Sequence, residues 1–281
     1  MHKSNKKIRL VIVFTIGVLL SGWFGKLLDL LLVNQPKGES IGSLIWLVTP
    51  AIMTVVLVCF LPKGERQLGL KWNFKGNQNG NWKGYLISLF LFPLMAILLI
   101  GIACVLGLID FTKIPYGKLI TSFAIWFIVN FFRNILEEIA WRGFLTKQLN
   151  DVKLNRWLLY LCVTLVWGSW HIPYYLFFYN NENALQLILS GYINLACWSI
   201  LFTELYLYTN SIWPCIVLHA TSNAVQYVAV EPYLTMEKSA NLFLSPATGI
   251  ISGILCILVG LWLKKRNENK KEKLGKRKMI K

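Results

Sequence analysis

Glu137 and Glu138 are adjacent carboxylates in a stretch that is otherwise apolar on both sides, from Leu119 to Val129 before them and from Ile139 to Leu145 after, with Arg142 one helical turn further on. A charge near the centre of a bilayer costs roughly 3 kcal/mol on insertion scales, so such groups usually mark a site or a pathway. The chain has only 3 histidines. His2 lies in a charged N-terminal tail, whereas His171 and His219 sit inside other apolar segments, and Asn223 follows His219 by one helical turn. Carboxylates, imidazoles, an amide and a guanidinium within a membrane have acid–base work as their natural chemistry, either at a hydrolytic centre or along a proton relay.

Spacing sorts these groups. Positions four apart share a helix face, so Glu138 and Arg142 meet, and pairing is the cheapest way to keep either charge in lipid. That reading makes them a structural ion pair. Glu137 points about 100° away and is poorly served by Arg142. Arg133, four residues earlier, is its alternative partner and would make Glu137 structural too. His219 and Asn223 project from one face, separated by the small residues Ala220, Thr221 and Ser222. His171 lies in Trp167-Gly168-Ser169-Trp170-His171-Ile172-Pro173, where Pro173 is expected to break the helix and Gly168 and Ser169 thin one face. A lone intramembrane histidine is more often a packing residue. Two of them beside a carboxylate and an amide point to a site. Glu204 is a further acidic residue in a span; it reads either as a supporting group behind the site or as a residue near the membrane surface by the Asn210 turn.

The elements that must position these residues are membrane helices. Of 281 residues 56% are hydrophobic and 15% charged, which excludes a soluble globule. A span needs about 20 apolar residues, and no alternation of barrel strands is present, so the expected fold is all-α, a polytopic membrane protein. About eight transmembrane helices are expected, near 10–33, 41–61, 85–109, 119–145, 157–178, 184–208, 212–230 and 246–263. An even count puts both termini on one side. With that side cytoplasmic, 22 Lys and Arg lie there against 4 opposite, a strong positive-inside bias. The net charge of +16 therefore reads as a topology signal. The basic tail 264–281 is expected to touch anionic lipid, and no nucleic-acid partner is expected. The 6 cysteines fall in separate spans and read as packing residues. Gly64, Gly69, Gly76, Gly80 and Gly84, with Asn73, Asn77, Asn79 and Asn81, make 63–84 a turn-rich cytoplasmic loop, and Asn210-Ser211 is expected to be a tight turn. Gly249 and Gly253 form a G-x-x-x-G pair that favours close helix packing. The organisation expected is a basic tail at 1–9, an eight-helix membrane domain at 10–263 with its motif-bearing core at about 84–230, and a basic cytoplasmic tail at 264–281.

Glu137-Glu138-x-x-x-Arg142, then Trp167-x-x-x-His171, then His219-x-x-x-Asn223, resembles the CPBP family of intramembrane endopeptidases, which includes CAAX prenyl proteases and bacteriocin-processing or self-immunity proteins. Glu137 to Leu145 is similar to the family's first motif, and Ser211-Ile212-Trp213-Pro214 leading into His219 is similar to the approach to its third. Trp141 and Trp167 stand where the family usually has phenylalanine. The resemblance implies that Glu137 is the general base activating water, that His171 helps hold that water, and that His219 and Asn223 stabilise the oxyanion. Low-dielectric surroundings strengthen a carboxylate as a base, and preorganised donors supply much of the rate. The family has been described both as metalloproteases and as glutamic proteases. Glu137, His171 and His219 have acceptable zinc-ligand types, but H-E-x-x-H is missing, and the reading favoured is one without a cofactor. The implied partners are a peptide or lipoprotein substrate, cleaved near the cytoplasmic side, and membrane lipid; the implied location is the cell membrane. The alternatives are a binding-only immunity protein of the same fold and an ion-coupled transporter.

Overall fold

Apolar runs rich in Leu, Ile and Phe wind into helices because, in lipid, only an internally bonded backbone satisfies its own polar groups. The computed structural model describes residues 2–279 apart from 33–34, 37–38, 64–65, 74–81, 180–182 and 230–233, with the side chains of 2, 3, 271 and 273–279 also left aside. The loop residues Gly64, Gly76, Gly80, Asn77, Asn79 and Asn81 lie outside the described residues. The helices are α1 (His2–Leu31), α2 (Ile41–Cys59), α3 (Trp82–Val105), α4 (Tyr116–Glu138), α5 (Lys147–Asp151), α6 (Arg156–Pro173), α7 (Ala184–Thr209), α8 (Trp213–Ala229), α9 (Lys238–Leu244) and α10 (Ile250–Met279). Two π-helical segments, Ile139–Thr146 and Tyr174–Phe178, follow α4 and α6 directly. Among the described residues there is no strand, and the protein is an all-α polytopic membrane protein. Five helices (Ser4–Leu31, Ile41–Cys59, Trp82–Val105, Tyr116–Asp151 and Ala184–Thr209) are long and apolar enough to cross a membrane by length and composition. α6, α8 and α10 occupy the other three expected spans as helices. Large apolar side chains such as Ile97, Ile120, Leu185 and Ile193 stand exposed, as lipid-facing residues must.

The chain divides into two compact units. Unit 1 comprises residues 1–70 and 136–199, and unit 2 comprises 71–135 and 200–281. In unit 1, α1 and α2 touch backbone to backbone at Gly25 and Gly42, where neither position has room for a Cβ. Asp29 Oδ1 then accepts from the Gly42 N–H at 2.8 Å. Ser40 caps α2 by accepting from the Ser43 N–H, and Asn155 caps α6 by accepting from the Trp157 N–H. Trp46 and Trp170 stack with centroids 4.1 Å apart, and each indole donates to the other's carbonyl, at 2.7 and 3.2 Å. Asp151 holds Lys147 at 2.8 Å and Lys7 at 3.0 Å, tying α1 to α5.

In unit 2, Thr221 on α8 donates to the Ser88 carbonyl of α3. Asn210 adopts a left-handed conformation (φ 50°) between α7 and α8, the tight turn expected there. Asn73 donates to the Thr209 carbonyl at that turn, and Trp72 stacks on Trp213 with centroids 4.2 Å apart. Close approach in α10 comes at Gly260, beside Leu201 of α7. At Gly249, just before α10, a Cβ would meet the carbonyls of Phe243 in α9 and of Ser245, each at 2.7 Å. Pro173 does not end its helix abruptly. A proline removes one donor and crowds the preceding turn, and the chain answers by widening into the second π-segment rather than breaking.

Candidate active site

Glu137 and Glu138 close α4, and the first π-segment begins at the next residue. π-turns shift the side-chain register and recur at functional sites. Both carboxylates are buried, Glu137 at 2% and Glu138 at 0% exposure. Their surroundings differ. Glu138 Oε1 accepts from Arg142 Nη1 at 2.9 Å, with both side chains fully buried. The Arg142 guanidinium also lies over the Trp167 ring, 4.2 Å from its centroid. Glu137 Oε2 accepts two indole N–H groups, from Trp141 and from Trp167, each at 3.4 Å. Trp167 thus touches both glutamates' environments, with its edge on Glu137 and its face on Arg142.

His171 lies on the next turn of α6. Its Nδ1 is 2.9 Å from the Trp167 carbonyl. A carbonyl oxygen can only accept, so Nδ1 is the donor in this contact. Trp170 packs edge-on against the imidazole at 4.7 Å and Tyr175 lies nearly parallel at 5.9 Å. Gly168 leaves space that Tyr192 fills, and the Tyr192 hydroxyl bonds Ser169 at 2.6 Å. Unit 1 therefore brings Glu137, Glu138, Arg142 and His171 together in an aromatic wrapping of Trp141, Trp167 and Trp170.

Unit 2 carries His219, Asn223 and Glu204. His219 is buried at 4% exposure and meets Phe202 edge to face at 5.6 Å. Asn223 Nδ2 donates to Asn130 Oδ1 at 3.2 Å and to Asn134 Oδ1 at 3.4 Å. Asn130 in turn donates to the Trp126 carbonyl at 2.7 Å. Glu204 has a partner in α10. Fully buried, it takes a hydrogen bond from Asn267 of α10 at 2.6 Å on Oε2, while the same amide reaches its backbone carbonyl at 3.1 Å. Its partner is thus the start of the basic extension of α10.

Sequence reasoning passes over Asn130 and Asn134, which sit mid-helix among Phe and Ile and look like isolated polar residues. The signal available was their spacing, four apart on the helix that ends in Glu138. Trp141 and Trp167, at positions where the resemblance leads one to expect phenylalanine, both act as donors to Glu137. Among the described residues no group of three His, Cys, Asp or Glu side chains could hold a metal ion. Glu137 and His171 each have the donor type zinc accepts, a carboxylate and an imidazole nitrogen.

Residues 119–225 match the family model described as Rce1-like, type II CAAX prenyl endopeptidase Rce1-like. No curated protein matches the chain. The matched stretch contains Glu137, Glu138, Arg142, His171, His219 and Asn223, and over those residues the chain is similar to the Rce1-like type II CAAX prenyl endopeptidases.

Proposed function

We propose that the protein hydrolyses a peptide bond of a peptide or lipidated protein near the cytoplasmic face of the membrane, with Glu137 as general base and no metal. The observation that supports this most directly is the environment of Glu137. It is buried, accepts two indole N–H groups, and has its neighbour Glu138 already engaged by Arg142. Glu138 anchors a cation, and the carboxylate of Glu137 is held in place by the two indoles. In the reaction Glu137 takes a proton from water as the oxygen attacks the carbonyl carbon. His171, with Nδ1 committed to the Trp167 carbonyl, offers Nε2 to that water. His219 and the Asn223 cluster donate to the oxygen that gains charge. Glu137 then returns its proton to the leaving amine as the C–N bond breaks. Zinc, if bound by Glu137, His171 and His219, would polarise the carbonyl and the water instead. The CAAX prenyl endopeptidase description of the matched family makes a prenylated C-terminal peptide the first substrate to try.

The test uses purified protein in detergent and a quenched fluorescent peptide ending in a farnesylated Cys-aliphatic-aliphatic-X tail. Mass spectrometry of membrane and secreted peptides from cells carrying wild type or Glu137→Ala covers other substrates. The expected result is a peptide product made by wild type and absent from the variant. Identical peptide sets, with normal cleavage of the probe by Glu137→Gln, would overturn the assignment.

A further inference from the structure

Within unit 1, α6 and α7 exchange a glycine for a tyrosine twice. Gly168 of α6 gives its space to Tyr192 of α7, where a Cβ would lie 2.5 Å from the tyrosine ring. The exchange runs the other way at Gly191, the residue before Tyr192. A Cβ at 191 would lie 3.2 Å from the Tyr175 hydroxyl and 3.3 Å from its ring. Tyr192 also bonds Ser169 through its hydroxyl, which fixes the register of the two helices. Tyr175 is thereby seated on the backbone of α7. Its ring lies against the His171 imidazole, centroids 5.9 Å apart and 24° from parallel. Tyr174 and Tyr179 meet it edge to face at 5.7 and 6.3 Å.

The imidazole needs such a support. The outer torsion of a histidine side chain is broad, without sharp staggered wells, so neighbours set the plane of the ring. The Nδ1 contact with the Trp167 carbonyl fixes one point, and one point does not fix a plane. Trp170 supplies one wall, edge-on at 4.7 Å. Tyr175, four residues after His171 and so on the same helix face, supplies the flat one. Both His171 and Tyr175 are half-buried, so neither ring is sealed in the core. Resting on the peptidase reading above, we infer that Tyr175 is a positioning residue for His171, and that Gly191 is the seat that sets where its ring stands. Tyr175 touches no reacting atom. It holds the plane in which the imidazole presents Nε2 to the attacking water. Any side chain at 191 forces Tyr175 to shift, and the imidazole loses its wall.

The experiment compares Tyr175→Phe, Tyr175→Leu, Gly191→Ala and the double variant carrying Gly191→Ala with Tyr175→Phe, each as the full chain in detergent. One reading is turnover of the farnesylated quenched peptide. The other is the imidazole resonance of His171 in protein labelled at histidine for NMR. The chain has 3 histidines, so His171→Gln identifies the signal. Tyr175→Phe keeps the ring and is expected to leave both readings at wild type. Tyr175→Leu is expected to move the signal and to lower kcat about tenfold, less than the roughly 100-fold that a 1 Å misplacement can cost. Its KM should stay within about twofold, as for a group that acts on the chemical step. Gly191→Ala is expected to do the same more weakly. The double variant should recover, because removing the hydroxyl clears the atom nearest the new methyl group.

An unmoved His171 signal in Tyr175→Leu overturns the inference whether or not the probe is cut. Normal turnover by Tyr175→Leu beside an inactive Glu137→Gln also overturns it and leaves the peptidase reading intact. Normal turnover by Glu137→Gln overturns the peptidase reading instead. Should Tyr175→Leu fail to fold, Gly191→Ala decides. An unmoved signal there, or a loss that Tyr175→Phe does not relieve, overturns the inference.

Discussion

Around Glu137 the polar groups carry formal charge and are wrapped in indole rings; around Asn223 they are neutral amides bonded chiefly to one another. In unit 1 a guanidinium reaches Glu138 and two indole N–H groups reach Glu137, and the donating rings are themselves buried. Unit 2 uses asparagines at helix spacing. Charge in a low-dielectric interior is tolerated only when paired and bonded, which demands large planar partners with fixed geometry. Amides carry no such requirement, and an amide donor without a partner can be kept at modest cost. The two regions thus bury polar groups by different means, one through charge wrapped in rings and the other through amides bonded to one another.

The largest expected effect separates the two glutamates. Glu137→Gln should lose peptide cleavage by orders of magnitude while melting at or slightly above wild type, since active-site groups carry strain that substitution relieves. Glu138→Gln should stay active in proportion to what remains folded. If Glu137→Gln merely unfolds while Glu138→Gln is folded and inert, the roles are reversed. Next comes the ion pair itself. Arg142→Ala strands a buried carboxylate and should cost about 3–5 kcal/mol, seen as lost yield and a lower denaturation midpoint. A midpoint unchanged from wild type would show that the charged cluster is held by something other than this pair.

A smaller effect tests the aromatic wrapping. Trp167→Phe keeps a ring but removes the N–H to Glu137 and weakens the face beneath Arg142. It should lower stability by about 1–2 kcal/mol and turnover by roughly tenfold, within the usual range for one positioning contact. Full activity in that variant would mean the indole edge is incidental. The smallest expected effect is none. If Glu137 works without zinc, metal analysis of purified protein should find substoichiometric zinc, and chelation should leave cleavage of the prenylated peptide unchanged. Stoichiometric zinc that disappears in His219→Ala would establish the metal-dependent mechanism instead.

Much of this is legible in the sequence. Positions four apart predict shared faces, so the meeting of Glu138 with Arg142 and the pairing of Asn210 with a tight turn could be read from spacing alone. The π-segments could not, because a change from i+4 to i+5 bonding leaves no mark in composition. Pro173 was read as a break on the general behaviour of proline, yet the Tyr174–Phe178 turn absorbs it. Glu204 could not be placed, since its partner Asn267 lies 63 residues away in a tail that reads as solvent-facing. Asn130 and Asn134 were invisible for a related reason: an amide's value depends on what it faces, and sequence does not show facing residues.

Gly143, directly after Arg142, sets a limit on how the protein can be engineered. A Cβ there would lie 2.9 Å from the carbonyl oxygen of Leu68, in the segment that follows α2. That is tighter than a backbone atom can yield, so an alanine at 143 would push the segment outward. The converse also holds. An epitope tag or added residue between Leu61 and Trp72 would pull Leu68 off the glycine and disturb the turn carrying Arg142. Insertions that look harmless because they fall in a polar loop should therefore be screened for loss of the fold, and labels are better attached beyond residue 270.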